Sequence, residues 1–212
     1  QKYEDKKCIK LYNHQKDIIT TCNRPDAKLV LYQAPTGTGK TLTPLALVKK
    51  HKIIFVCAAK HIGLQLAKCC ISLQIPIAVA FGCKDPSDIR LHYFAAKEKI
   101  RNRRTGGIFR VDNSVGDLVE IIISDVQSYL PAMYYMCAFN KKEDILWYWD
   151  EPTISLDQET HEFHSILQNN WKQNIIPNVI LSSATLPKED ELTEFIMGFN
   201  NKFPAMRVYN IV

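Results

Sequence analysis

The chain has 212 residues, room for one large domain with a full core or for two small ones. Its apolar content of 46% and charged content of 23% are those of an ordinary globular protein, and no apolar run approaches the roughly 18 residues that a membrane span needs. The net charge of +5 permits a polyanionic partner without demanding one.

The N-terminal stretch QKYEDKKCIKLYNH carries charge but no apolar segment, so it predicts no secretory signal. Seven cysteines are present, an odd number without a C-x-x-C pair, and several sit in apolar runs, as Cys57 does in IIFVCAA. That usage predicts reduced, buried thiols and an intracellular, reducing compartment, cytoplasm or nucleus.

In chain order, the first apolar run is KLVLYQ (28–33), a predicted strand. A glycine-containing turn and a helical stretch, KTLTPLALVKK, follow it. KIIFVCA (52–58) is a second strand, HIGLQLAKCCISL (61–73) has helical spacing, and IPIAVAF (75–81) is a third strand. LHYFAAKEKIRNRR (91–104) reads as a helix that turns basic. LVEIIIS (118–124) predicts a fourth strand, followed by a helix over DVQSYLPAMYYMC. ILWYW (145–149) is a fifth strand, QETHEFHSILQNNW (158–171) a helix, NVILSS (178–183) a sixth strand, KEDELTEFIM (188–197) a helix and AMRVYNI (205–211) a last strand. Strands this apolar, without alternation, are buried on both faces. Interleaved with helices they predict an α/β fold with a mostly parallel central sheet between two helical layers. Ligands of such sheets bind at the carboxyl ends of the strands.

After the first strand comes QAPTGTGKTLT. Ala34 to Thr41 fit a phosphate-binding loop, with Ala34 in place of the usual first glycine. Thr36, Gly37, Thr38 and Gly39 form the curl, and the two glycines let its N–H groups face phosphate oxygens. Lys40 brings a positive charge to the β/γ-phosphates, and the Thr41 hydroxyl is placed to ligate Mg²⁺. Such a loop needs an acid on a neighbouring strand end to hold the metal. The fifth strand ends in Asp150, and Glu151 beside it is placed to orient the attacking water. After the sixth strand comes SSATLP, where Ser183, Ala184 and Thr185 either relay hydrogen bonds or simply turn and cap the next helix.

APTGTGKT, DEPT and SAT, in that order and each after an apolar strand, resemble motifs I, II and III of superfamily 2 helicases. The spacings, 110 residues from Lys40 to Asp150 and 33 from Asp150 to Ser183, suit that family. The resemblance implies a three-layer RecA-like P-loop NTPase lobe over 1–212, ATP and Mg²⁺ as cofactors, and nucleic acid, DNA or RNA, as partner. YNHQKDII (12–19) resembles the family's upstream glutamine element, in which Gln15 would read the adenine edge. CAAKHIGLQLAK (57–68) resembles motif Ia and ISDVQSYL (123–130) a later nucleic-acid element, implicating Lys60, His61, Ser124 and Asp125. The basic stretch 97–110, with Arg101, Arg103 and Arg104, is a further candidate for phosphate contacts, or else a solvated helix end. The family has a second RecA-like lobe that supplies arginine fingers. No such segment follows Thr185, so the sequence predicts part of a larger protein. Pro152 and Thr153 depart from the family's usual third and fourth motif II residues, and Thr153 can hydrogen-bond but cannot carry charge. Two competing readings stay open: another P-loop enzyme, such as a small-molecule kinase with a lid from 97–110, and a degenerate lobe acting as a scaffold. The heavy use of Lys, Ile, Asn and Cys would suit an AT-rich genome such as that of a large DNA virus.

Overall fold

The apolar runs become strands within a residue or three of where their hydrophobicity places them. The computed structural model describes residues 12–35, 37–101, 108–152, 163–186 and 192–212. In chain order the elements are α1 (Asn13–Cys22), β1 (Lys28–Gln33), a 3-10 turn (Lys40–Leu42), α2 (Thr43–Leu47), β2 (Lys52–Cys57), α3 (Lys60–Ser72), β3 (Ile77–Ala80), β4 (Arg90–Leu91), β5 (Lys99–Arg101), β6 (Ile108–Val111), β7 (Ile121–Asp125), α4 (Tyr129–Phe139), β8 (Ile145–Asp150), α5 (Phe163–Gln173), β9 (Asn178–Ser183), α6 (Thr193–Lys202) and β10 (Arg207–Ile211).

Eight strands form one sheet in the order β10-β1-β9-β8-β2-β7-β3-β4. Neighbours run parallel except β3 and β4, which pair antiparallel through Ala78 and Leu91. Alternation along the strands splits the core in two. Val30, Tyr32, Ile53, Phe55, Leu146 and Tyr148 face one side, with Ile18 of α1, Leu47 of α2 and Leu66 of α3. Leu29, Leu31, Ile54, Val56, Trp147 and Trp149 face the other, with Met133 of α4, Leu167 of α5 and Phe199 of α6. Helices on both faces explain why the strands are apolar throughout. On the second side the aromatic rings stack: Trp147 on Tyr129 and Trp149, Trp171 on Phe195 and Phe199. The fold class is the expected one.

One element is corrected. Residues 91–104 do not form a helix. Arg90–Leu91 pairs back on β3, residues 93–95 make a turn, and Lys99–Arg101 begins a hairpin that pairs Lys99 with Val111 and Ile100 with Arg110. Ala, Lys, Glu and Arg favour a helix by propensity, but tertiary packing decides here. Leu91, Ala95 and Ala96 are drawn into the core, Leu91 through its pairing with Ala78 of β3. The helix after the phosphate loop is also shorter than expected. Pro44 lacks the N–H that would continue the 3-10 turn, so the chain restarts as five residues of α2. The parts of the predicted helices at 158–162 and 188–191 lie outside the described residues. The described cysteines are free, and burial pushes the Cys22, Cys57 and Cys70 thiols up to about 12. No helix among the described residues is long and apolar enough to cross a membrane.

Candidate nucleotide site

Parallel strands all point their carboxyl ends to one edge of the sheet, and the candidate residues collect there. β9 lies between β1 and β8 and registers with both: Ser182 sits level with Tyr32 and with Asp150. The phosphate loop leaves β1, and the acidic pair leaves β8, two strand spacings away, about 10 Å. Gly37 and Gly39 both have φ of 82°, where an L side chain is strained. A Cβ on Gly39 would also come within 3.2 Å of Gln15 Nε2. The glycines are therefore required by the curl of the loop.

The Lys40 side chain is buried. Its ammonium donates to the Ala34 carbonyl at 2.6 Å and lies 3.6 Å from Glu151 Oε1. Thr41 Oγ1 donates to Asp150 Oδ2 at 3.4 Å. Asp150 is 5% exposed, and its Oδ1 has no hydrogen-bond partner among the described residues. Burial, and then the neighbouring Glu151 charge, raise the Asp150 carboxyl to about 6, against the opposing pull of Thr41, Lys40 and the Ser182 hydroxyl. Glu151 takes a left-handed backbone with φ of 52°, held by its N–H on the Ser182 carbonyl at 2.7 Å. Ser183 Oγ donates to Glu151 Oε2 at 2.6 Å and accepts the Thr185 N–H at 3.2 Å. The Ala184 carbonyl accepts from Gln33 Nε2 at 3.2 Å. Together Gly37, Gly39, Lys40, Thr41, Asp150 and Glu151 line a cleft of about 500 Å³.

The other candidates fall as follows. Gln15 uses its amide on backbone: Oε1 accepts from Tyr12 N at 3.1 Å and Nε2 donates to the Thr38 carbonyl at 3.3 Å. Thr38 Oγ1 closes the loop on the Pro35 carbonyl at 2.7 Å. Thr36, Arg103, Arg104 and Thr153 lie outside the described residues, and Arg101 is placed on β5 as backbone. Lys60 and His61 are exposed at the start of α3, and His61 lines the same cleft as Lys40. Ser124 is fully buried and donates to the Asp125 carbonyl. The Asp125 carboxylate accepts from the N–H groups of Gly82 and Ser128, both at 2.9 Å. These two residues are turned into the fold and brace the loops after β3 and β7.

Sequence reasoning missed a set of buried hydroxyls under the loop. Tyr148 OH donates to the Lys40 carbonyl at 2.9 Å and lies 3.0 Å from Ser182 Oγ. Tyr32 OH is 2.6 Å from His14 Nδ1 and 3.5 Å from Thr43 Oγ1, which in turn donates to the Gly39 carbonyl at 3.4 Å. The available signal was position: Tyr148 is two residues before Asp150, on the strand face that the phosphate loop covers.

No protein-family model matches the sequence, and no curated protein does. Solved structures do. The Hef helicase domain of Pyrococcus furiosus is 18% identical with a TM-score of 0.49, over 93% of this chain and 37% of that one. A hypothetical ATP-dependent RNA helicase from Sulfolobus tokodaii is 14% identical with a TM-score of 0.52, over 95% of this chain and 53% of that one. The chain thus spans about a third to a half of the structures it resembles. The second likeness shows the fold: this chain shares with that structure an α/β architecture, here a mostly parallel eight-stranded sheet flanked by helices.

Proposed function

We propose that the chain is the ATP-binding lobe of a helicase or translocase that hydrolyses ATP to move on or remodel DNA or RNA. The observation that carries this reading is the meeting of Lys40, Thr41, Asp150, Glu151 and Ser183 from three separate strand ends at one cleft.

The residues fit Mg²⁺. Asp150 presents a buried carboxylate oxygen, Oδ1, without a hydrogen-bond partner among the described residues, in an environment that penalises its charge. Thr41 and Asp150 would hold the ion, which supplies positive charge to the phosphate oxygens. The Lys40 ammonium, now on the Ala34 carbonyl, would turn to the β/γ-phosphates, and the loop amides would face them. Glu151, fixed by Ser183, would orient water for in-line attack on the γ-phosphorus and accept its proton, giving ADP and inorganic phosphate. Ser183 then ties Glu151 to the Thr185 backbone, so a shift at this strand end is felt by the water site.

No arginine lines the cleft among the described residues. The reading therefore includes a second RecA-like lobe, in the same longer chain, that completes the site, and little hydrolysis by residues 1–212 alone. The test is Mg²⁺-dependent ATP binding by this chain and ATPase activity of the whole protein with and without nucleic acid. Binding lost in Lys40→Ala, with turnover stimulated by nucleic acid, is the expected result. Turnover indifferent to nucleic acid but dependent on a small-molecule phosphate acceptor would instead make it a kinase.

A further inference from the structure

The direct ties between the phosphate loop and the acidic strand end are made by groups with another task. Lys40 holds Glu151, and Thr41 holds Asp150. In the ATP-binding reading these same four side chains turn to phosphate, metal and water, so they cannot also keep the loop in register while ligand is bound. β9 separates β1 from β8, so among the described residues no backbone hydrogen bond joins the two directly.

One tie lies below the loop, out of the ligand's way. Tyr148 is fully buried on the face of the sheet that carries α1, α2 and α3. Its hydroxyl donates to the carbonyl of Lys40, the peptide that carries the phosphate-binding lysine. It also meets the hydroxyl of Ser182, itself fully buried. Ser182 accepts the Glu151 N–H on its carbonyl and precedes Ser183, whose hydroxyl holds the Glu151 carboxylate. One phenol thus joins the lysine's peptide to the strand that sets both the backbone and the side chain of Glu151. A phenylalanine would fill the same space. The hydroxyl adds burial cost, and what it brings in return is the bond.

We propose that Tyr148 and Ser182 are positioning residues: their hydroxyls hold the Lys40 peptide and the end of β9 in one register, so that loop curl and Glu151 orientation stay matched when ligand displaces the ties above. The proposal rests on the ATP-binding reading of the cleft.

Two readouts on Tyr148→Phe, Ser182→Ala and the double variant test it, at a temperature where each is fully folded. The first is hydrogen exchange of the phosphate-loop amides, residues 37–43, with Mg·ADP bound and without it. The second is affinity for Mg·ATP and Mg·ADP. Expected is exchange about tenfold faster in the loop with β2 unchanged, about tenfold weaker nucleotide binding, and a double variant no worse than the poorer single one. Tyr148→Phe that lowers the melting temperature but leaves loop exchange and affinity unchanged overturns the proposal, as does strict additivity. Should Tyr148→Phe fail to fold, Ser182→Ala carries both readouts. An unaltered chain that binds no Mg·ATP, with Lys40→Ala indistinguishable from it, overturns the ATP reading and this proposal together. Binding that Tyr148→Phe leaves intact overturns the positioning role alone.

Discussion

Asp150 carries an electrostatic cost in the free protein that a ligand can relieve. Its carboxyl is raised to about 6, chiefly by burial, against roughly 4 in an unfolded chain. A raised carboxyl favours the protonated native state, so the cost is absent below about pH 4 and complete above about pH 6. Asp150→Asn is therefore expected to stabilise the free chain by about 1–3 kcal/mol at pH 7 and by nothing near pH 3.5. Denaturant unfolding at the two pH values measures this, and the same variant should lose Mg²⁺-dependent nucleotide binding. Glu151 presents a different case. Its strained backbone is held by Ser182, and its carboxylate by Ser183. Glutamine keeps both an acceptor for Ser183 and the backbone bond, but cannot take a proton. Glu151→Gln should leave Mg·ATP affinity within about twofold and lower the whole protein's turnover by about a hundredfold or more. Single-turnover and binding measurements separate the two effects.

At the scale of elements, α3 packs against the sheet so closely that one residue decides the distance. A Cβ on Gly63 would meet Ile123 Cγ2 and Phe81 Cζ, each at 2.8 Å, and Cys57 Sγ at 3.1 Å. Alanine ordinarily gains up to about 1 kcal/mol over glycine in a helix. Here overpacking prevails, and Gly63→Ala should cost about 1–3 kcal/mol in urea unfolding, with α3 shifted away from β2. The β5–β6 hairpin is the element that the sequence misread. Its residues favour a helix one by one, while the pairing of Leu91 to Ala78 and Lys99 to Val111 is set by contacts across the fold. The apolar runs at 28–33, 52–58, 145–149 and 178–183 were legible because burial on both faces leaves little other use for them. The loop and acidic pair were legible because Gly-Lys-Thr and Asp-Glu follow such runs directly. The hydroxyls of Tyr32, Tyr148 and Ser182 were not, since nothing in a strand's own sequence says which backbone carbonyl will lie above its tyrosine. The hairpin also carries charge. Lys97, just before it, is paired with Asp117 at 2.5 Å; β5 carries Lys99 and Arg101, while the candidates Arg103 and Arg104 lie outside the described residues. The double variant Lys99→Ala/Arg101→Ala should weaken nucleic-acid binding by the whole protein across sequences alike. It should also lower the slope of log affinity against log salt by up to about 2.

For the whole molecule, the strand order places β9 between the loop strand and the acidic strand. A movement of β9 or of the turn after it would reach Lys40 through Tyr148 and Glu151 through Ser183 in the same step. The cleft opens at the carboxyl edge of the sheet, the same edge at which Lys60 and His61 are exposed. Nucleotide and nucleic acid would then share one rim of the fold. The central claim is that this cleft binds ATP through Lys40 and a divalent ion. Calorimetric titration of the chain with ATP, in Mg²⁺ and in excess chelator, for the unaltered protein and for Lys40→Ala, tests it most directly. The account predicts one site per chain, seen in Mg²⁺ and lost with chelator or with alanine at position 40. Absence of ATP binding by the folded, unaltered chain in Mg²⁺, or binding that Lys40→Ala leaves unchanged, would contradict it.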